Sequence, residues 1–288
     1  SDAIPQSVTT PADASETQAR IDADWIDEQG NAYNYRDDVI SILFMGIDYM
    51  GDEKNWFYAT ESNGGNADVI GLVILDTRTF DFSMLYIPRD TMADVIAMDA
   101  SGQYLDTVYT NISTAHSYGD GKDLSCRLTT DAVSHLLCGA PVSRYVALDY
   151  DALYTLNDLI GGLTITFDDD YTEIHSTFTK GSTVTLNRWY MDKFITYRSE
   201  TDLEGAYKRG MRSMAVMKAL FNQCKGKIVA DPAVALEYYN GLKDYITTDL
   251  DLTEITYLAR NMGKMYFTSD TIVRLPGCLL YTSDAADE

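Results

Sequence analysis

No run of 18 consecutive apolar residues occurs in this 288-residue chain, so no segment of it is long and apolar enough to span a bilayer as a helix. Positive charge is scarce: 22 Lys and Arg stand against 44 Asp and Glu, a formal net charge of -22 at pH 7. A field of that sign repels nucleic acid and anionic lipid, which excludes a general polyanion-binding surface. An anionic substrate would need a local group of arginines or a metal. The only histidines are His116, His135 and His175, and no two have metal-ligand spacing, so a Ser/His/Asp or Cys/His enzyme is not indicated. No glycine-rich loop of the Walker or dinucleotide type is present, which argues against ATP or NAD chemistry.

Cysteine excludes more than it offers. Cys126, Cys138, Cys224 and Cys278 show no CxxC spacing, so neither a zinc site nor a disulfide framework is supported. If a helix links Cys126 to Cys138, twelve residues at 1.5 Å rise separate them by about 18 Å, too far for a bond. All are expected to be small buried apolar residues, except Cys278. The stretch from Cys278 to Glu288 reads as an in-frame translation of transposon-end sequencing-adapter DNA and is set aside from fold reasoning. Its few apolar residues are expected to pack poorly on the domain. At the other end, residues 1–37 are rich in Ala, Asp, Thr, Ser and Gln, and are expected to form an acidic tether with one short helix around Ser15 to Ile26. The chain starts at Ser1 instead of Met, which suggests a longer natural N-terminus.

What the chain does contain is concentrated between Val39 and Met92. Val39 to Met45 is a short apolar run typical of a strand buried on both faces, and it ends at Gly46-Ile47-Asp48. After a polar loop, Asp68 opens a second apolar run through Leu75. Asp76-Thr77-Arg78-Thr79 is a turn, and Phe80 to Ile87 returns as a hairpin partner that ends on Pro88-Arg89-Asp90-Thr91. Asp68 begins one strand and Arg89 ends its neighbour, so both lie at one sheet edge, and Asp48 ends its own strand. Ligands of α/β sheets sit outside the carboxyl ends of strands. Two carboxylates and a guanidinium there suit a hard divalent cation with a phosphate. Charges placed at strand ends for solubility are the alternative on the residues alone.

Downstream, segments of helical and strand character alternate. Ala93 to Thr110 reads as a loop able to cover the site. Ser113–Tyr118, Leu128–Leu137, Asp149–Ile160, Asn187–Thr196, Gly205–Cys224, Val234–Tyr239 and Thr253–Met262 read as helices. Arg144–Leu148, Leu163–Phe167 and Thr271–Leu275 read as strands. Asp168-Asp169-Asp170 reads as a solvated turn, and Arg209 and Arg212 share a face near the start of a long helix. The alternation predicts a three-layer α/β/α domain around a central mixed sheet.

Strand-Gly46-Ile47-Asp48, Asn66-Ala67-Asp68 before an apolar strand, and Ile87-Pro88-Arg89-Asp90-Thr91 resemble the opening of the LytR-CpsA-Psr family. Asn111 through Tyr118-Gly119, Ala132 to Leu137 before Pro141, Leu159-Ile160-Gly161-Gly162, Gly181 to Asn187, Tyr197-Arg198 and the Arg209/Arg212 helix follow in that family's order, so the resemblance spans roughly residues 39 to 222. It implies a catalytic domain over residues 38–277. The activity implied is a phosphotransferase that moves an anionic glycopolymer, such as teichoic acid or capsule, from a polyprenyl pyrophosphate carrier to peptidoglycan in cell wall biogenesis. It also implies an extracytoplasmic location and an N-terminal membrane anchor beyond this sequence. By this resemblance Asp48 and Asp68 hold Mg²⁺, and Arg89, Arg198 and Arg212, helped by Arg209, neutralise the phosphates. The lipid would lie in an apolar tunnel between sheet and helices, with Asp48, Asp68, Arg89 and Arg198 meeting in one cleft.

Three positions depart from the family pattern. Asn66 stands where an arginine is usual, Glu200 where a second arginine is usual, and Ser213-Met214 where a glutamine is usual. These departures keep two other functions open: a non-catalytic or weakly active binder of the lipid-linked glycan, and a Mg²⁺-dependent pyrophosphohydrolase.

Overall fold

The computed structural model describes residues 24–26, 29–48, 64–199, 205–267 and 269–276. In chain order the strands and helices are β1 (Trp25–Ile26), β2 (Ala32–Tyr33), β3 (Val39–Ile47), β4 (Ala67–Asp76), β5 (Phe82–Ile87), β6 (Met92–Met98), β7 (Tyr104–Asn111), α1 (Asp123–Leu136), β8 (Arg144–Leu148), α2 (Tyr150–Leu159), β9 (Leu163–Thr166), β10 (Thr183–Leu186), α3 (Arg188–Thr196), α4 (Gly205–Ala230), α5 (Ala233–Leu242), β11 (Ile246–Thr248), α6 (Leu252–Asn261) and β12 (Ile272–Arg274). A 3₁₀ turn, Ile112–Ser117, precedes α1.

Six strands form one mixed sheet in the order β11-β8-β3-β4-β5-β12. β3 runs parallel to β8 and antiparallel to β4, and β4 and β5 form the hairpin expected from the turn at Asp76. Period-two alternation divides the sheet's side chains between two cores. Leu43, Met45, Ile70 and Leu72 pack with Cys126, Ala132 and Val133 of α1, while Ile42, Val73, Leu75 and Met84 pack with Met214 of α4. Helices therefore cover both faces, and the α/β/α layering expected from the sequence is present. A third core joins α2, α3 and α4 to the β9–β10 ribbon through Phe167, Phe178, Leu186 and Phe194. Buried Asn157 locks that ribbon to α2: its side chain accepts from Leu163 N and donates to Leu186 O.

Helix starts follow local chemistry. Asp149 caps α2 by accepting Ala152 N at 2.7 Å, Asn187 caps α3 by accepting Tyr190 N at 2.9 Å, and Asp251 with Glu254 closes a capping box on α6.

Three expectations are corrected. Ala93 to Thr110 is not a loop but the hairpin β6–β7, whose Ala93, Val95 and Ala97 alternate inward with exposed or half-buried neighbours. Trp25 and Ile26, at the end of the expected helix, lie in a short strand, where Asp24 and Asn34 accept from the backbone N–H groups of Tyr35 and Asp24 across the ribbon; the rest of that stretch, residues 15–23, lies outside the described residues. Cys138 is exposed just past the end of α1, in a left-handed conformation at φ 58, whereas Cys126 and Cys224 are buried as expected. β10 and β11 are strands too short for the sequence pattern to reveal. The C-terminal stretch from Cys278 lies outside the described residues.

Candidate functional site

The pairing of β3 with β4 runs in register as far as Gly46↔Val69 and then shifts to Ile47↔Ala67. Asp68 is the extra residue, so it sits in a β-bulge, a device that re-aims one side chain at the end of a ladder. Close strand approach is allowed because position 46 is glycine: a Cβ there would lie 3.1 Å from Val69 Cβ. Beyond the bulge the two strand ends are tied by Asp48 N donating to Asn66 O at 3.0 Å, and by Asn66 N donating to Asp48 Oδ1 at 2.6 Å. Thus Asn66, where the family usually has arginine, orients Asp48 through its backbone.

Asp68 is held on both oxygens. Its Oδ1 is paired with Arg89 Nη1, and its Oδ2 lies 3.0 Å from Arg209 Nη2. Arg89 leaves β5 through a tight turn in which Thr91 N donates to Pro88 O, and its Nε also lies 3.6 Å from Asp90. Arg209 arrives from α4, which approaches the sheet closely because the next residue is Gly210. A Cβ at that position would overlap the Tyr86 hydroxyl oxygen.

Burial and charge act together on the neighbouring groups. The Asp48 carboxyl is pushed up by burial and, further, by the charge of Asp68, while the Asn66 N–H and Arg89 pull the other way. Burial raises the Tyr150 phenol, and the charge of Asp68 adds to the effect while Arg209 opposes it. Burial also lifts Tyr86 to about 12, so it stays a neutral neighbour of Arg209.

Asp48, Asp68, Arg89 and Arg209 are therefore brought together. Arg198 is exposed and lies over the first residue of α4, where a Cβ on Gly205 would meet its Cγ at 3.2 Å. Arg212 points elsewhere. It is only 3% exposed, its Nε donates to Phe194 O at 2.7 Å, and its Nη2 donates to Tyr197 O. That guanidinium ties the end of α3 to α4 and so positions the backbone leading to Arg198. Glu200 lies outside the described residues, and Ser213 lines the cavity described next.

Behind the cluster, between the sheet and α2, α3 and α4, is an apolar cavity of about 110 Å³ lined by Met45, Val69, Leu153, Ile195, Val216 and Leu220 among others. Asp68, Arg209, Asp149 and Tyr150 line the same cavity, so charge and apolar surface meet in one space. The sequence reading missed Asp149 and Tyr150. Both follow the carboxyl end of β8, the parallel neighbour of β3, and the strand-end rule that selected Asp48 applies equally to them.

As a metal site the donor set is small. Asp48 and Asp68 supply hard carboxylate oxygens, and among the described residues no group of three or more His, Cys, Asp or Glu could hold a metal. Carboxylate oxygens are the donors a hard divalent cation takes, and both oxygens of Asp68 are already engaged by Arg89 and Arg209.

The fold and this site define a class: an α/β domain with an acid–arginine cluster at a sheet edge, opening on an apolar cavity. The chain belongs to the LytR_cpsA_psr family, whose model matches residues 6–277. It is 30% identical over 208 residues to the polyisoprenyl-teichoic acid–peptidoglycan teichoic acid transferase TagV of Bacillus subtilis (strain 168), covering 68% of this chain and 48% of that protein. The TagU transferase of Bacillus mycoides (strain KBAB4) is 23% identical over 238 residues, covering 83% of this chain and 69% of the relative. The chain thus spans about half the length of TagV and about two thirds of TagU. Among solved structures, Bacillus subtilis TagV superposes with a TM-score of 0.62 at 24% identity, covering 86% of this chain and 88% of that one. TagT bound to LI-WTA superposes with a TM-score of 0.57 at 20% identity, covering 83% and 78%. These superpositions show the shared fold.

Proposed function

We propose that this chain is a phosphotransferase that moves an anionic glycopolymer, teichoic acid or capsule, from a polyprenyl pyrophosphate carrier to peptidoglycan. The observation that carries this reading is Asp68, gripped by Arg89 and Arg209 at a bulge that opens on an apolar cavity. A substrate with a pyrophosphate head and a hydrocarbon tail matches both halves of that space.

In the reaction, an acceptor hydroxyl attacks the phosphorus that carries the glycopolymer. A new P–O bond forms, the bond to the bridging oxygen breaks, and polyprenyl phosphate leaves while the hydroxyl proton passes to solvent or a nearby base. Arg89 and Arg209, freed from Asp68 as the substrate enters, would fork onto phosphate oxygens and stabilise the charge on the leaving group. Arg198 would approach from the start of α4, and Arg212 would hold the α3 end that carries it. Asp48 and Asp68 would hold Mg²⁺, which neutralises phosphate charge when bound.

The cavity is smaller than the 300–1,000 Å³ usual for ligand pockets, so a polyprenyl chain would have to spread its walls. Met45 and Met217 in the lining are side chains suited to such adjustment. The apolar lining disfavours a pyrophosphohydrolase of small substrates. A weakly active binder remains the second reading, favoured by the burial of Arg212 against backbone carbonyls. No helix among the described residues is long and apolar enough to cross a membrane. The extracytoplasmic location and N-terminal anchor belong to this proposal. The test is release of polyprenyl phosphate from a polyprenyl-pyrophosphate-linked glycan with Mg²⁺ and peptidoglycan present, wild type against Arg89→Ala.

A further inference from the structure

A second, polar cleft of about 760 Å³ adjoins the charged cluster, and Ile47 and Asp149 line both this cleft and the apolar cavity. It lies between the start of α1 and the segment joining α5 to β11, outside the carboxyl ends of the parallel pair β3 and β8. We propose that this cleft is the acceptor subsite and holds a glycan strand of peptidoglycan, with the accepting hydroxyl directed past Asp149 to the phosphate site. The proposal rests on the transferase reading and assigns the half of the reaction which that reading leaves without a location.

Three properties of the cleft select this occupant. Its size falls within the range of sites that enclose small ligands, so it can take saccharide units without any rearrangement of the sheet. Its charged lining is Asp120, Asp123, Asp149 and Asp244 against Lys122 and Lys243. That excess of acid repels an anionic glycopolymer or a second pyrophosphate, and leaves the uncharged hydroxyl and acetamido groups of a glycan strand as the fitting partner. Tyr239 and Tyr245 are also in the lining, and Tyr245 is 41% exposed, so a ring is available to the apolar side of a pyranose.

Three of the four carboxylates of the cleft are also fixed in direction. Asp120 Oδ1 accepts from Lys122 N at 2.8 Å and Leu124 N at 3.1 Å. Asp123 Oδ1 accepts from the Tyr145 hydroxyl at 3.0 Å, and Asp149 Oδ1 accepts from Ala152 N at 2.7 Å. A carboxylate anchored by one oxygen is a preorganised acceptor for sugar hydroxyls, and hydrogen bonds to an ionised acceptor are stronger than neutral ones. The wall between the two spaces is thin, because Asp149 and Tyr150 are consecutive. Asp149 lines both spaces, and Tyr150 lines the apolar cavity beside Asp68.

The test is a titration of the whole protein with soluble disaccharide-peptide fragments of peptidoglycan, followed by NMR or calorimetry, alongside a separate titration with polyprenyl pyrophosphate. Wild type should bind the fragments saturably. Tyr245→Ala and Asp244→Ala, both at exposed positions, should each weaken fragment binding about fivefold or more and leave polyprenyl pyrophosphate binding unchanged. Arg89→Ala should do the reverse. No saturable fragment binding by wild type, or wild-type affinity in both cleft variants, would overturn the proposal. Fragment binding that depends on Tyr245, in a protein that binds no polyprenyl pyrophosphate, would support the cleft and refute the transferase reading.

Discussion

Gly210 lies directly against the Tyr86 hydroxyl, so close that any side chain at position 210 would occupy the same space. That contact sets how near α4 comes to β5, and hence whether Arg209 reaches Asp68. Gly210→Ala should therefore cost about 1–3 kcal/mol in urea unfolding, the usual range for overpacking. It should also weaken pyrophosphate binding, because the helix carrying Arg209 is forced outward. Wild-type stability in this variant would show that α4 does not sit as described.

Arg209 and Arg212 are one turn apart on α4 but have different work. Arg212 is buried and donates to two carbonyls at the end of α3, so Arg212→Met should lower stability by about 1–3 kcal/mol through unsatisfied buried carbonyls. Arg209→Met should leave the melting temperature nearly unchanged and reduce affinity for polyprenyl pyrophosphate. Thermal melts of both variants with parallel binding curves separate the roles, and equal effects of the two substitutions on stability would contradict the assignment.

The contrast shows where the sequence was informative. β3, the β4–β5 hairpin and the placing of Asp48, Asp68 and Arg89 at one edge could be read because Gly46, the turn at Asp76 and Pro88 punctuate strongly apolar runs. Helix-surface spacing alone put Arg209 and Arg212 together. Which arginine meets the sheet and which is buried depends on the packing of α3 against α4, and local pattern carries no trace of it. The bulge at Asp68 is likewise a matter of strand register. The hairpin β6–β7 is written in the alternation of Ala93, Val95 and Ala97, but the small side chains of the two alanines and the turn-forming Asp99 and Gly102 beyond them read as loop.

The pH dependence of stability follows from Asp48. Burial and the charge of Asp68 raise its folded-state pKa above the ordinary carboxylate value of about 3.9. Its contribution to stability is therefore fully present below that ordinary value and is lost as pH rises through the raised folded value. At neutral pH the ionised side chain is a net burden in the absence of ligand. Asp48→Asn should accordingly raise the urea midpoint at pH 7, with the advantage shrinking as pH falls through the raised folded value and gone below the ordinary value of about 3.9. A variant less stable than wild type at pH 7 would show that the Asp48 charge is needed for folding.

The central claim, that Asp68, Arg89 and Arg209 form a phosphoryl-transfer site, is tested most directly by polyprenyl phosphate release from a polyprenyl-pyrophosphate-linked glycan. Wild type should release it with peptidoglycan and Mg²⁺ present, and Arg89→Ala should lower the rate about 100-fold or more, as expected for loss of a charge-stabilising donor. Release by Arg89→Ala at the wild-type rate would contradict the account.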